Sequence, residues 1–411
     1  MAALRVLHVA PYYGEAWAYG GIPRVVTALT RGLAKRGHRV LVATTDACDA
    51  ESRLPAAAAS SSDAGVEVHV FRNVSNRAAY RLQWFMPRGL GAWLRRIAPA
   101  IDVAHLHGCH HLPGAIAARA LSRAGVPYVL TPNGTAPRIE RRLAAKWLFD
   151  HTLGRAVLPK AALVSAVSEA ERRQLLAMGV PAAKVRLLPN PLDLDELASP
   201  PAPGAFRARW GLGAAPVVLY LGMLTPRKGV DVLVEAFARA ALPGARLVIA
   251  GNDRGIGAAL RRRARELGVE GTTIFTGLLR GEERLAALAD ADVVVYPSRD
   301  EAFGLVPLEA LLCGTPVVVS DDHGCGEVIA EVGGGLRVPP SDAESLAAAL
   351  REVLADAERW RTEVAVAASR VRAQFSAEAV CAQLERLYGE AVASAPRRVA
   401  AAAAVTAARP A

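Results

Sequence analysis

The stretch RDEAFGLVPLEALLCG, residues 299–314, carries two carboxylates eight positions apart. Glu301 follows an apolar, β-branched run, ADVVVYP, that reads as a buried parallel strand ended by proline. Glu309 lies within the apolar residues 305–312, which read as a helix. Eight positions are a little over two helical turns, so both carboxylates can look along one side. Glu301, Phe303, Gly304 and Leu305 then sit where a strand's carboxyl end meets a helix N-terminus. Open α/β sheets bind ligands in that crevice, and the exposed amides there favour an anion. Two acceptor carboxylates beside such a turn suit a ligand rich in hydroxyls and phosphate. The spacing alone favours the plainer alternative, a solvated Glu301 and a Glu309 paired with a nearby arginine.

Other residues with chemical potential are spread along the chain. Gly20 and Gly21 end a loop between a predicted strand and a helix with Pro23 in its first turn. That arrangement can bind an anion, although two glycines also suit an ordinary connection. MLTPRKG, residues 223–229, places Lys228 in a second strand–helix loop. HLHGCHH, residues 105–111, has the residue types of a metal cluster but lacks the second ligand pair that zinc sites usually draw on. Asp290-Ala-Asp292 precedes a strand, whereas a metal-holding pair belongs at a strand's carboxyl end. No metal site is expected.

These residues must be positioned by alternating strands and helices. Strands are predicted at 4–10, 38–44, 66–71, 103–107, 128–131, 163–167 and 185–188, then at 216–222, 246–251, 273–277, 291–297 and 315–320. The alternation implies parallel sheets flanked by helices. A proline-rich stretch at 199–204 separates the two sets. Residues 1–198 and 205–373 form the two expected domains, with a final helix over 375–392 and a disordered tail over 393–411. Residues 45–65 read as a mobile loop, and a helix starting near 341 would be capped by Ser341.

The motifs resemble the retaining glycosyltransferases of family 4, the GT-B type. The residues that carry the resemblance are Glu301-Ala-Phe-Gly-Leu-Val-Pro-Leu-Glu309, Gly20-Gly21, Lys228-Gly229 and Asn190-Pro191. It runs from Leu4 to about Val392. It implies two Rossmann-like domains with parallel sheets facing an active-site cleft, and sugar transfer from a nucleoside-diphosphate sugar to an acceptor hydroxyl with retained configuration. By resemblance, Glu301 holds sugar hydroxyls, Glu309 the ribose, and Lys228 with the amides of Gly20 and Gly21 the diphosphate. Gly251 and Gly277 border the base, and His107 offers a polar contact beside the acceptor cleft. Two positions depart from the pattern. Asn133 stands where many relatives have histidine, and Met223 where they have a diphosphate-binding arginine. The donor is a substrate, and no cofactor is implied. A nucleotide-sugar epimerase or hydrolase of the same fold, and a non-catalytic nucleotide- or glycan-binding relative, are the alternatives.

The net charge of +10 is uneven: residues 1–200 hold 25 Lys/Arg against 14 Asp/Glu, and residues 201–411 hold 24 against 25. The basic half favours an anionic partner, and no nucleic-acid-binding motif is present. Residues 68–101 contain six arginines, no acid, and Phe71, Tyr80, Trp84, Phe85 and Trp93. That composition suits an anionic membrane surface, and equally a helix pair with its aromatics in the core. Five scattered cysteines without a CxxC fit a reducing compartment. With no signal peptide or membrane span expected, a cytoplasmic enzyme follows, with peripheral attachment to the membrane's inner face as an option. The acceptor is a glycan, a lipid-linked sugar or a small molecule.

Overall fold

The computed structural model describes residues 2–49, 51–54, 61–138, 143–197 and 201–395. The first domain is built on β1 (Arg5–Val9), β2 (Arg39–Thr45), β3 (Ser61–Asp63), β4 (Val66–Phe71), β5 (Val103–His107), β6 (Tyr128–Thr131), β7 (Leu163–Ala166) and β8 (Val185–Leu187). Their order is β3-β4-β2-β1-β5-β6-β7-β8, and all pairings are parallel except β3 with β4. The second sheet holds β9 (Val217–Leu221), β10 (Arg246–Ala250), β11 (Thr273–Gly277), β12 (Val293–Tyr296), β13 (Val317–Ser320) and β14 (Gly335–Val338), ordered β11-β10-β9-β12-β13-β14 and fully parallel.

The central strands are buried along nearly their whole length because helices cover both faces, and most of their residues are apolar. VVVY of β12 and VVVS of β13 are buried at every position. Each sheet therefore has two apolar layers, one on either face.

The chain crosses between domains twice, and the crossings bond to each other. Leu192 N donates to Phe375 O at 2.7 Å, and Ala377 N to Leu192 O at 3.1 Å. The helix Ala377–Ser394, capped by Ser376, returns to the first domain and packs on the helix Ile22–Lys35. A Cβ on Gly32 would lie 2.7 Å from Cys381 Sγ, so only glycine lets the two helices approach this closely.

The structure departs from several sequence expectations. Residues 45–65 are not wholly a loop: β3 pairs with β4, held by Asp63 accepting from Arg31 at 2.8 Å. The strand β14 was not anticipated. Its helix neighbour Ala343–Ala355 is capped by Asp342, which accepts from the amides of Glu344 and Ser345, and not by Ser341. The last helix runs to Ser394, and residues 396–411 of the expected tail lie outside the described residues.

In the basic segment, helices Asn76–Leu82 and Leu90–Ile97 turn most aromatics inward. Phe71 and Trp93 pack on the first-domain core, while Phe85 and Tyr80 join Tyr12 and Tyr19. All six arginines are exposed, and Trp84, at 58 % exposure, is the one aromatic of the five that faces solvent.

Candidate active site

A cavity of about 720 Å³ lies between the domains, at the carboxyl ends of both sheets. Among the described residues its lining includes seven Lys/Arg side chains and a single carboxylate, Glu301, so it is built for an anion. Two close approaches define its waist. A Cβ on Gly20 would lie 3.2 Å from Met223 Cε, and one on Gly21 3.0 Å from Leu305 Cδ1. The glycine loop of the first domain thus faces the helix start at Leu305 in the second, and larger residues would wedge them apart.

Glu301 and Lys228 meet at the end of β12. The Lys228 ammonium is ion-paired with the Glu301 carboxylate and donates to the Tyr296 hydroxyl at 2.8 Å. Lys228 is only 6 % exposed. Burial pushes the Glu301 carboxyl up, but Lys228 and Arg227 outweigh it and hold the group below its usual range. Burial drives the Tyr296 phenol well above its usual value. The pair is therefore an ionised acceptor beside a charged donor, with a neutral phenol behind. Gly304, at φ +81°, caps the helix Leu305–Leu312. A Cβ there would lie 2.7 Å from Cys325 Sγ, which fixes glycine at the turn. Phe303 is buried against Phe375, and its neighbours Gly304 and Leu305 also line the cavity.

Gly251 lines the cavity at φ +152°, where a Cβ would overlap the Gly222 carbonyl oxygen. Gly277 is not part of the lining. Its carbonyl accepts from the Gly251 amide at 2.7 Å, so it supports the loop from behind.

The residues expected on the acceptor side are also resolved. Asn133 (φ +53°) and His110 (φ +50°) line the cavity, and Asp300 (φ +54°) adjoins Glu301. Left-handed non-glycine residues are costly and gather at functional sites. Among the described residues the Asn133 amide has no protein partner for its nitrogen or its oxygen. Its loop is anchored by buried Glu171, which accepts from the amides of Gly134 at 2.5 Å and Val167 at 2.8 Å. Burial pushes the Glu171 carboxyl up to about 7.

His107 does not reach the cavity. It is fully buried in β5, with Nε2 2.9 Å from Nδ1 of His8 on β1. His105 bonds Thr131 Oγ1 at 2.7 Å and Tyr388 OH at 2.9 Å, and Tyr388 also lies 3.2 Å from His8 Nε2. These histidines form a hydrogen-bonded block under the last helix. Gly108, Cys109, His110 and His111 line the cleft in place of His107. Asp290 and Asp292 serve the fold: Asp290 accepts from the amides of Gly204 and Phe206, and Asp292 from Val217.

Glu309 is likewise not a cavity residue. It is 0 % exposed and ion-paired with Arg24 and with Arg284, the latter at 2.5 Å. Arg24 and Arg284 also bind Glu196, at 2.9 and 2.8 Å. Two guanidiniums and two carboxylates close a ring across the domain boundary. The ion-pair option of the spacing argument is the one realised here, since Arg24 and Arg284 occupy both oxygens. Sequence reasoning missed Arg24, Arg284, Glu171 and Tyr296. Arg24, three residues past Gly21 in a helix's first turn, carried a positional signal that could have marked it.

The profile of the family described as "Glycosyltransferase Family 4" matches residues 19–196, and that of "Glycosyl transferases group 1" matches residues 205–367. A GDP-mannose-dependent alpha-(1-6)-phosphatidylinositol monomannoside mannosyltransferase of Mycolicibacterium smegmatis is 34 % identical over 53 % of this chain and 62 % of its own length. A D-inositol 3-phosphate glycosyltransferase of Kineococcus radiotolerans is 33 % identical over 71 % of this chain and 72 % of its own. Among solved structures, sucrose-phosphate synthase of Thermosynechococcus elongatus superposes with a TM-score of 0.73 at 25 % identity, covering 95 % of this chain and all of that one. With two facing parallel-sheet domains and a cation-lined cleft between them, this chain belongs to the GT-B glycosyltransferases of family 4.

Proposed function

We propose that the protein transfers a sugar, with retained configuration, from a nucleoside-diphosphate sugar to a hydroxyl of a lipid-linked acceptor. The observation that carries the donor half is the Glu301–Lys228 pair at the mouth of β12, inside a cleft with one carboxylate among seven cations. Lys228 and the amides at Gly21 and Leu305 stabilise the diphosphate as it leaves, and Glu301 accepts from sugar hydroxyls. The Gly20 amide donates instead to the Trp17 carbonyl at 3.1 Å, so Gly20 serves the turn and its close approach. The departing diphosphate takes the acceptor's proton on the same face. Catalysis is then positioning plus charge stabilisation. Since protein cations meet the diphosphate, turnover is expected to survive chelation by EDTA.

The acceptor half draws on surface composition. Trp84 and Leu82, at one end of the cleft, are exposed, as are Leu143, Trp147, Leu148 and Leu153 in and just after the helix Leu143–His151. Leu82, Trp84, Phe149 and Leu153 all line the cavity. Residues 76–160 hold 13 Lys/Arg against 3 Asp/Glu. An apolar shelf in a basic field suits an anionic membrane at the inner leaflet. On this reading the lipid contact would involve Trp84 and the Leu143–His151 helix as well as the basic segment.

A panel of nucleotide-sugars, each with and without a lipid-linked acceptor, tests the reading. Sugar transfer that requires the acceptor is expected; donor turnover without any acceptor supports the epimerase or hydrolase alternative. Flotation with anionic vesicles tests the surface. Replacing Trp84 and Trp147 by serine is expected to reduce binding and leave nucleotide affinity unchanged. Wild-type indifference to anionic vesicles at low salt refutes the membrane half.

A further inference from the structure

The second domain presents Met223, a thioether, opposite Gly20 at the waist of the cleft. The first domain presents Arg24. Arg24 lines the same cavity as Gly20, Gly21 and Lys228, one helical turn beyond the glycine loop. Two carboxylates fix it, Glu196 at 2.9 Å and Glu309, and Arg284 braces both carboxylates from the far side. Glu309 and Glu196 are absent from the cavity lining, whereas both arginines belong to it. The ring is neutral overall, but it turns its cationic side to the cleft and keeps its anionic side behind. The Nε–H groups of Arg24 and Arg284 are buried without a protein partner among the described residues. A buried arginine donor without an acceptor is costly unless a ligand supplies one.

We propose that Arg24 is a donor-binding residue: it contributes to the diphosphate, from the first domain, the positive charge that Met223 does not contribute from the second. This rests on the nucleotide-sugar reading. Glu309 and Glu196 then act through Arg24 as positioning residues, each holding one Nη group of the planar guanidinium and leaving its other N–H donors for phosphate oxygens. The arrangement also makes donor binding depend on both domains. The diphosphate would be gripped by Lys228 on one side and Arg24 on the other, so the cleft must be closed for full affinity.

The test separates diphosphate recognition from general damage. Wild type is titrated with UDP, GDP and ADP, and the tightest of these is carried forward with its parent nucleoside. Arg24→Gln is expected to weaken the diphosphate about tenfold or more, the scale of one charge-assisted contact, while the nucleoside stays within about twofold. Arg284 still pairs with Glu309 and Glu196 in that variant, so neither carboxylate is left alone and folding is expected to persist. Arg24→Lys, which keeps the charge but not the fork, should lose less. Adding Met223→Arg to Arg24→Gln should recover much of the diphosphate affinity. If Arg24→Gln binds the diphosphate as wild type does, or loses nucleoside and diphosphate equally, Arg24 is structural and the inference falls while the donor reading stands. If wild type binds none of the three diphosphates, the donor reading falls and takes the inference with it.

Discussion

Lowering the pH from 7.5 to 5.5 should remove a large part of this protein's stability, through the first domain. His8, His105 and His107 are completely buried around Tyr388 and Thr131, and His111 is buried beside them with its ring 2.8 Å from the His107 carbonyl. Burial lowers all four, His8 to about 3 and His111 to about 4, with His105 and His107 well below their usual value. The other histidines add to the depression at His105 and His107, and no carboxylate counters it. A folded-state value below the unfolded one means that the unfolded chain takes up protons first, so stability is present above about 6.5 and is lost as pH falls. At pH 5.5 each group costs about 1.4 kcal/mol, or about 6 kcal/mol for the four. Glu171 works the other way. Its value is raised to about 7, so protonation on going to 5.5 returns about 2 kcal/mol. A net loss of about 4 kcal/mol is comparable to the whole stability of a marginal domain. Urea unfolding at both pH values measures it. Hydrogen exchange should show the helix Ala377–Ser394 releasing first, because Tyr388 is its bond to the block. A difference below about 1 kcal/mol would refute the reasoning. So would protection of that helix that does not change with pH.

Glu301→Gln should lower turnover by about 100-fold or more, since the ionised acceptor at the reacting sugar is gone, while nucleoside diphosphate still binds. Wild-type turnover in that variant refutes the assignment. Glu309→Gln should act on stability, by about 3 kcal/mol, because two buried guanidiniums are left to share Glu196 alone; an unchanged melting temperature contradicts the ring. Gly324→Ala places a methyl against the Ala302 carbonyl and 2.5 Å from Ser168 Oγ of the other domain. It should open the cleft, measurable as a larger radius of gyration in solution scattering with weaker donor binding; unchanged values of both contradict the close contact.

Much of the fold was legible because its strands advertise themselves. A buried parallel strand reads as a run of mostly apolar residues rich in valine, and β9, β12 and β13 do so. β14 was hidden by its opening glycine and its arginine, and β3 by a polar Ser-Ser-Asp. The place of Glu301 in the cleft was legible because a strand end followed by a glycine-capped helix opens onto the crevice of an open sheet. Glu309 was not, because its partner Arg24 lies 285 positions away and only the closed cleft brings them together. His107 misled for a similar reason. Its partner is His8 on the adjacent strand, where the register sets His8 beside His105. Composition marked residues 68–101 as basic and aromatic but could not say which faces turn inward. The tyrosine stack of Tyr12 and Tyr19, which captures Tyr80 and Phe85, decides that.

The returning helix Ala377–Ser394 also bears on how the chain comes to be folded. Val380, Cys381, Leu384 and Leu387 are part of the first domain's apolar layer, together with Val25, Leu29 and Leu33. During synthesis that layer stays open until the whole second domain has left the ribosome. At the usual pace of about 5–20 residues per second, the first domain waits on the order of ten seconds or more with a buried face uncovered. Its native contacts span some of the longest separations in the chain, which slows closure further. Nascent first domains are thus clients for chaperones, and any truncation before residue 377 leaves them so permanently.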